Sequence, residues 1–144
     1  MIPIQPITES DLPDVVAMIH ALAAHHGDVA TVTPEDLRRD ALGPHSWLHV
    51  LVAKGSGYCA LHGQAQLHFG VRGMEVHHLY VHPAQRGAGI GRALMRAAQA
   101  YAQGLGCRYL TVGTHVDNTA AQAMYRAIGF DRLDREGPRF RVKW

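Results

Sequence analysis

An α/β fold built on a mixed sheet follows from three features of the chain. Apolar residues recur at helical spacing in separate segments, and between residues 47 and 81 the pattern turns to strand-like runs broken by glycine turns. A glycine-rich turn, Gln85-Arg86-Gly87-Ala88-Gly89-Ile90-Gly91-Arg92, joins a strand-like run to a helix-like run. Strand and helix runs alternate along the chain, which points to packed layers of sheet and helix.

Residues 2–7 alternate loosely and read as a first strand, with Pro3 and Pro6 confining it to a sheet edge. Ser10-Asp11-Leu12-Pro13 starts a helix: a capping serine, an acid in the first turn, and a proline whose missing N–H does no harm there. Leu12, Val15, Val16, Ile19, Leu22 and Ala23 form its core-facing stripe, and the helix ends near Gly27. Thr33-Pro34-Glu35-Asp36 starts a short second helix, with Thr33 and Asp36 as a capping-box pair, ending about Leu42-Gly43. Residues 47–53, 57–69 and 74–81 then predict an antiparallel meander. After the glycine turn, Ile90, Leu94, Ala98, Tyr101 and Leu105 make one helical face. Tyr109-Leu110-Thr111-Val112 predicts a strand, and Asn118 caps a helix whose inner face is Ala121, Met124, Tyr125 and Ile128. Arg139-Phe140-Arg141-Val142 predicts a last strand.

With 144 residues and 47% hydrophobic content, one domain spanning 1–144 with a proper core is expected. A charged fraction of 18% and a net charge of +2 argue against disorder and against a nucleic-acid binder. The N-terminus carries no basic, apolar leader, and no apolar run is long enough to span a bilayer, so a cytoplasmic protein with no membrane partner is expected. Cys59 and Cys107 form no C-x-x-C and read as buried, inert thiols. Eleven histidines make behaviour between about pH 5 and 8 sensitive to protonation.

The glycine-rich turn is an anion-binding element, because glycines let the backbone bend so that N–H groups converge on a ligand at the helix N-terminus. A P-loop is excluded, since Arg92-Ala93 follows Gly91 where Lys and Ser/Thr are needed. The Rossmann fingerprint fails as well, since Arg92 stands where the third glycine belongs. Arg86-Gly87-Ala88-Gly89-Ile90-Gly91 instead matches [QR]-x-x-G-x-[GA]. Leu79-Tyr80-Val81-His82-Pro83 precedes it, and Asn118, Ala121, Tyr125 and Gly129-Phe130 follow as N-x-x-A-x-x-x-Y-x-x-x-G-F. In this combination the chain resembles the GNAT superfamily of acyl-CoA-dependent N-acyltransferases, by motif in its second half and by element order in its first.

The resemblance implies a mostly antiparallel mixed sheet of six or seven strands, two splayed central parallel strands and about four flanking helices. It implies an N-acetyltransferase that moves acetyl from acetyl-CoA to a primary amine of a small molecule or peptide by direct attack in a ternary complex, with CoA as product. Leu79, Tyr80 and Val81 would pair with the pantetheine arm, the Val81 N–H near the thioester oxygen. The N–H groups of Arg86, Gly87, Ala88, Gly89, Ile90, Gly91 and Arg92 would hold the pyrophosphate, and Asn118 would touch the cofactor besides capping its helix. Tyr125 would protonate the leaving thiolate, its phenol pKa of about 10 being close to a thiol's 8.5. Homodimerisation is a habit of the superfamily.

For the general base, His78 is the first choice and Glu75 the reserve. His77 and His78 stand where polyamine-type relatives carry acids, which weakens the case for a polycationic acceptor. Strand alternation allows at most one of the two to face the cleft. A pair of merely packed or solvated histidines, and hence a non-catalytic acyl-CoA-binding module, is the competing reading. No metal is expected: His25-His26 and His77, His78 and His82 lack a complete ligand set. Residues 27–34, 43–46 and the Glu136-Gly137-Pro138 region are the candidate acceptor rims, with His115 a further candidate lining residue.

Overall fold

In the computed structural model, residues 2–133 and 138–144 are described. The chain falls into two compact units, Met1–Gly113 and Thr114–Trp144.

The first unit holds β1 (Gln5–Pro6), α1 (Leu12–His25), α2 (Pro34–Ala41), β2 (His49–Ala53), β3 (Gly57–Gln66), β4 (Val71–Val81), α3 (Ile90–Gly104) and β5 (Tyr109–Val112). Its sheet runs β1-β2-β3-β4-β5. The pairs are antiparallel up to β3–β4, the expected meander, and β5 joins β4 in parallel. β1 is an edge strand, shortened by Pro3 and Pro6, with one more bond from Ile7 N to Val50 O at 2.8 Å. The capping box at α2 is present: Asp36 N donates to Thr33 Oγ1 at 3.2 Å and Thr33 N to Asp36 Oδ2 at 3.0 Å.

Both sheet faces are covered. Val50, Val52, Tyr58, Ala60 and Tyr80 form one cluster with Leu12, Val15 and Met18 of α1 and Leu37 of α2. The alternating residues Leu51, Ala53, Cys59 and Leu61 are equally buried and face the other way, where α3 crosses β2, β3 and β4. The buried face of α3 is Ile90, Leu94, Met95, Ala98 and Ala102. It is turned from the expected one: Tyr101 is half-buried and Leu105 exposed, because Met95 and Ala102 meet the sheet while Tyr101 reaches its OH to His49 Nδ1 at 2.8 Å.

Two close approaches fix glycines in the sheet. A Cβ on Gly57 would collide with the Tyr80 carbonyl oxygen and lie 3.2 Å from the Val81 Cα, and one on Gly73 would enter the Tyr109 ring. Gly57→Ala is therefore expected to cost about 2–3 kcal/mol, since neither neighbour is a flexible side-chain end. A fall in the denaturant midpoint at unchanged slope would register it.

The second unit contains α4 (Thr119–Ala127), capped as expected by Asn118, whose Oδ1 accepts from Ala121 N at 3.1 Å. Ala121, Met124, Tyr125 and Ile128 are half-buried. Gly129 takes φ +102°, closing the helix. The predicted strand Arg139-Phe140-Arg141-Val142 does not form, so the described residues contain five strands, not six or seven. Its apolar positions find no surface to cover: Phe140 is 96% and Val142 77% exposed. Alternation without a paired edge does not make a strand.

Candidate active site

β5 pairs with β4 from Gly73↔Tyr109 to Val76↔Val112 and stops. β4 continues to Val81 with β3 as its only strand partner among the described residues. The direction of its backbone groups follows from the ladder. His82 N donates to Ser56 O at 2.7 Å, and bonded and non-bonded pairs alternate in an antiparallel ladder. Tyr80 and His78 therefore exchange bonds with Tyr58 and Ala60 on β3, while Leu79 and Val81 turn their N–H and C=O groups to the open edge. Arg86 takes up one of these, its Nε donating to the Val81 carbonyl at 3.2 Å.

The open edge leads into the glycine loop. Gly87 and Gly89 have φ +85° and +83°, values L side chains rarely adopt. Gly89 is the N-cap of α3, with no side-chain capping bond and no acid in the first turn. The first bond of the helix is Ala93 N to Gly89 O at 3.0 Å, so the N–H groups of Ile90, Gly91 and Arg92 lie at the uncapped end. Arg92 adds positive charge to the positive pole of the helix, and residues 82–89 are exposed. Local charge and geometry both suit a phosphate-bearing anion.

On the other face of β4 the strand bulges. Leu61 pairs with Val76 and Ala60 with His78, so His77 is the extra residue. The bulge moves His78 off the face of Val76 and onto that of Ala60, Tyr58 and α1. It also overturns the expectation that at most one of the two histidines faces the cleft. His77 and His78 stack with centroids 4.4 Å apart and planes 11° apart, and both line one cavity of about 190 Å³ between α1, α2 and strands β2–β4. The apolar lining includes Val15 and Ile19 of α1, Leu37 of α2, and Val50. Val32 comes from the 27–34 rim expected from the sequence; of the third rim, Glu136 and Gly137 lie outside the described residues.

Three polar lining residues were missed by sequence reasoning. Asp36 and Asp40 are one helical turn apart, a spacing that could have flagged them. Tyr58 had no local signal; the β3–β4 register brings its OH to 2.9 Å from His78 Nδ1. Glu75, the reserve base, is occupied elsewhere, with Oε1 accepting from Thr111 Oγ1 at 3.2 Å and Oε2 3.3 Å from His62 Nε2.

Burial first, and then the neighbouring His77 and His26, lower the His78 pKa to about 4. His77 is lowered by desolvation and then by His62, against the pull of Glu75. Burial raises the Tyr58 phenol, which stays protonated. A histidine depressed in the fold titrates normally when unfolded, so its stabilising contribution is present above pH about 6.5 and is lost as pH falls towards 4. Discounted for partial exposure, the loss is about 1–2 kcal/mol. Thermal melts from pH 7.5 to 4.5 should show this slope, and His78→Gln should flatten it.

In the second unit, the Tyr125 and Phe130 rings are 6.1 Å apart and Phe130 N donates to Tyr125 O at 2.9 Å. His115 faces its own loop, 3.5 Å from Asp117 Oδ2. Cys59 is a buried thiol raised to about 12, as an inert core cysteine should be, whereas Cys107 is only half-buried. Among the described residues no group of three or more His, Cys, Asp or Glu is placed to hold a metal ion, and no helix is long and apolar enough to cross a membrane.

Comparison with known proteins bears directly on this arrangement. The chain is 43% identical over 56 residues to an aminoglycoside N(6')-acetyltransferase type 1 of Stenotrophomonas maltophilia, across 39% of this chain and 37% of that one. It is 28% identical over 149 residues to the thialysine N-epsilon-acetyltransferase of Bos taurus, across 93% and 87%. Several curated relatives are matched over only 37% to 41% of their length. In architecture it superimposes with a TM-score of 0.80, at 16% identity, on an aminoglycoside acetyltransferase from an uncultured soil metagenomic sample in complex with sisomicin, covering 98% of this chain and 96% of the other. Residues 15–130 match the Acetyltransferase (GNAT) family. The α/β sheet with one parallel pair, the glycine loop opening α3 and this match agree: the chain belongs to the GNAT acetyltransferase family.

Proposed function

We propose that the protein is an N-acetyltransferase that transfers the acetyl group of acetyl-CoA to a primary amine by direct attack within a ternary complex, 1–144 acting as one GNAT domain. The observation that carries this reading is the open edge of β4, followed after one turn at Pro83–Gln85 by the glycine loop and the uncapped end of α3. The pantetheine amides would pair with the outward groups of Leu79 and Val81, Tyr80 anchoring the strand from the β3 side. The pyrophosphate would sit on the N–H groups between Arg86 and Arg92, and Asn118 would hold α4 in place while touching the cofactor. Relatives named for aminoglycoside and thialysine acetylation support an amine as acceptor.

In the reaction the bound ammonium first gives one proton to solvent; the neutral amine nitrogen then bonds to the thioester carbon, the C–S bond breaks, and the nitrogen loses a second proton as the sulfur gains one. The Val81 N–H would stabilise the developing oxyanion. Tyr125 would give the thiolate its proton. His78, neutral at pH 7, would take the proton from nitrogen, which is more acidic once bonded to the thioester carbon than in a free ammonium. For this, His78 Nδ1 must carry hydrogen and donate to Tyr58 Oη, leaving the Nε2 lone pair available.

A thiol-release assay with acetyl-CoA and primary amines, run beside thermal melts with acetyl-CoA, tests the reading. Amine-dependent CoA release with saturable stabilisation is expected. Stabilisation without release would leave the non-catalytic acyl-CoA-binding module, which the weak basicity of His78 favours. Stabilisation by ATP and not by acetyl-CoA would remove the cofactor assignment.

A further inference from the structure

We propose that the cavity between α1, α2 and strands β2–β4 receives a primary amine carrying a single positive charge on a compact apolar body, an alkyl or arylalkyl monoamine, and discriminates against polycations. This rests on the acetyltransferase reading and names the acceptor class for it. Size gives the first reason: about 190 Å³ is below the roughly 300–1,000 Å³ of pockets for drug-sized ligands, so the cavity encloses one small group and leaves the other rings of a multi-ring sugar outside it. The second reason is the wall, where Val15, Ile19, Val32, Leu37, Leu48 and Val50 offer apolar contact but no bonds to hydroxyls or extra ammonium groups.

Charge gives the third. The cavity's carboxylates are Asp36 and Asp40, and Arg39 is shared between them. Its Nε and Nη2 donate to Asp40 Oδ1 and Oδ2, both at 2.9 Å, and its Nη1 lies 3.7 Å from Asp36 Oδ1. Asp36 also accepts from the Thr33 N–H. Two carboxylates against one guanidinium leave one negative charge, enough for one ammonium. His77 and His78 add no charge at neutral pH, and a second ammonium in the cavity would have no counter-charge.

The test compares kcat/KM for hexylamine and phenethylamine with that for cadaverine, spermidine and kanamycin at fixed acetyl-CoA. The monoamines should exceed the polycations by more than about tenfold. Val32→Trp, at a half-buried lining position, should raise KM for hexylamine while leaving stabilisation by acetyl-CoA unchanged. Arg39→Ala, on the exposed side of α2, should shift the preference several-fold from hexylamine towards cadaverine. Equal or better turnover of polycations by the native protein, or an unaltered hexylamine KM in Val32→Trp, would overturn the assignment. So would stabilisation by acetyl-CoA with no turnover of either monoamine. Failure of acetyl-CoA to stabilise the protein, with no thiol release from any amine, would overturn the acetyltransferase reading itself.

Discussion

Gly89→Val should weaken acetyl-CoA binding by about 100-fold while the fold survives. Gly89 holds φ +83° at the N-cap of α3, a conformation that costs a β-branched residue about 1–2 kcal/mol or more. A Cβ there meets nothing within 4 Å, so no steric clash is added to the backbone strain. The loop can relax by flipping φ, and the core under Ile90 and Leu94 stays packed. What is lost is convergence of the loop N–H groups, and one or two charge-assisted bonds to a pyrophosphate, at about 1.5–3 kcal/mol each, account for the effect. Calorimetric titration measures it, with melts of the unliganded variant as the control. Unchanged affinity would take the pyrophosphate away from this loop.

Tyr125→Phe should lower kcat by about 10²–10⁴-fold and leave acetyl-CoA affinity nearly unchanged. The substitution removes one oxygen and keeps the ring that lies 6.1 Å from Phe130, so α4 and its C-terminal turn should persist. If Tyr125 is the acid, the intermediate without the phenol would have to expel a bare thiolate, and the loss would fall on turnover. Single-turnover rates separate this from slow product release. A kcat within about twofold of the native protein would remove Tyr125 from the acid role.

Much of this molecule was legible locally. Caps at Thr33 and Asn118, the meander, the uncapped glycine turn and the strand after α3 all follow from short-range patterns, because turn conformation, capping and period act within a few residues. The helix α4, Thr119–Ala127, is likewise legible from spacing alone. Residues 139–142 show the limit, since their strand-like alternation depends on an edge to pair with and a surface to bury.

The cavity proposed for the acceptor lay beyond that reach. Strand alternation places His77 and His78 on opposite faces, but the β3–β4 register inserts His77 as an extra residue and brings both rings to one cavity. The same long-range pairing supplies Tyr58 to His78, and the packing of α2 turns Asp36 and Asp40 to the cavity with Arg39 shared between them. By itself the sequence determined the glycine loop proposed for the donor, because such a loop is contiguous and its glycines carry their conformation with them. Only tertiary structure decided the cavity proposed for the acceptor, whose size, charge balance and histidine orientation arise between residues far apart in the chain.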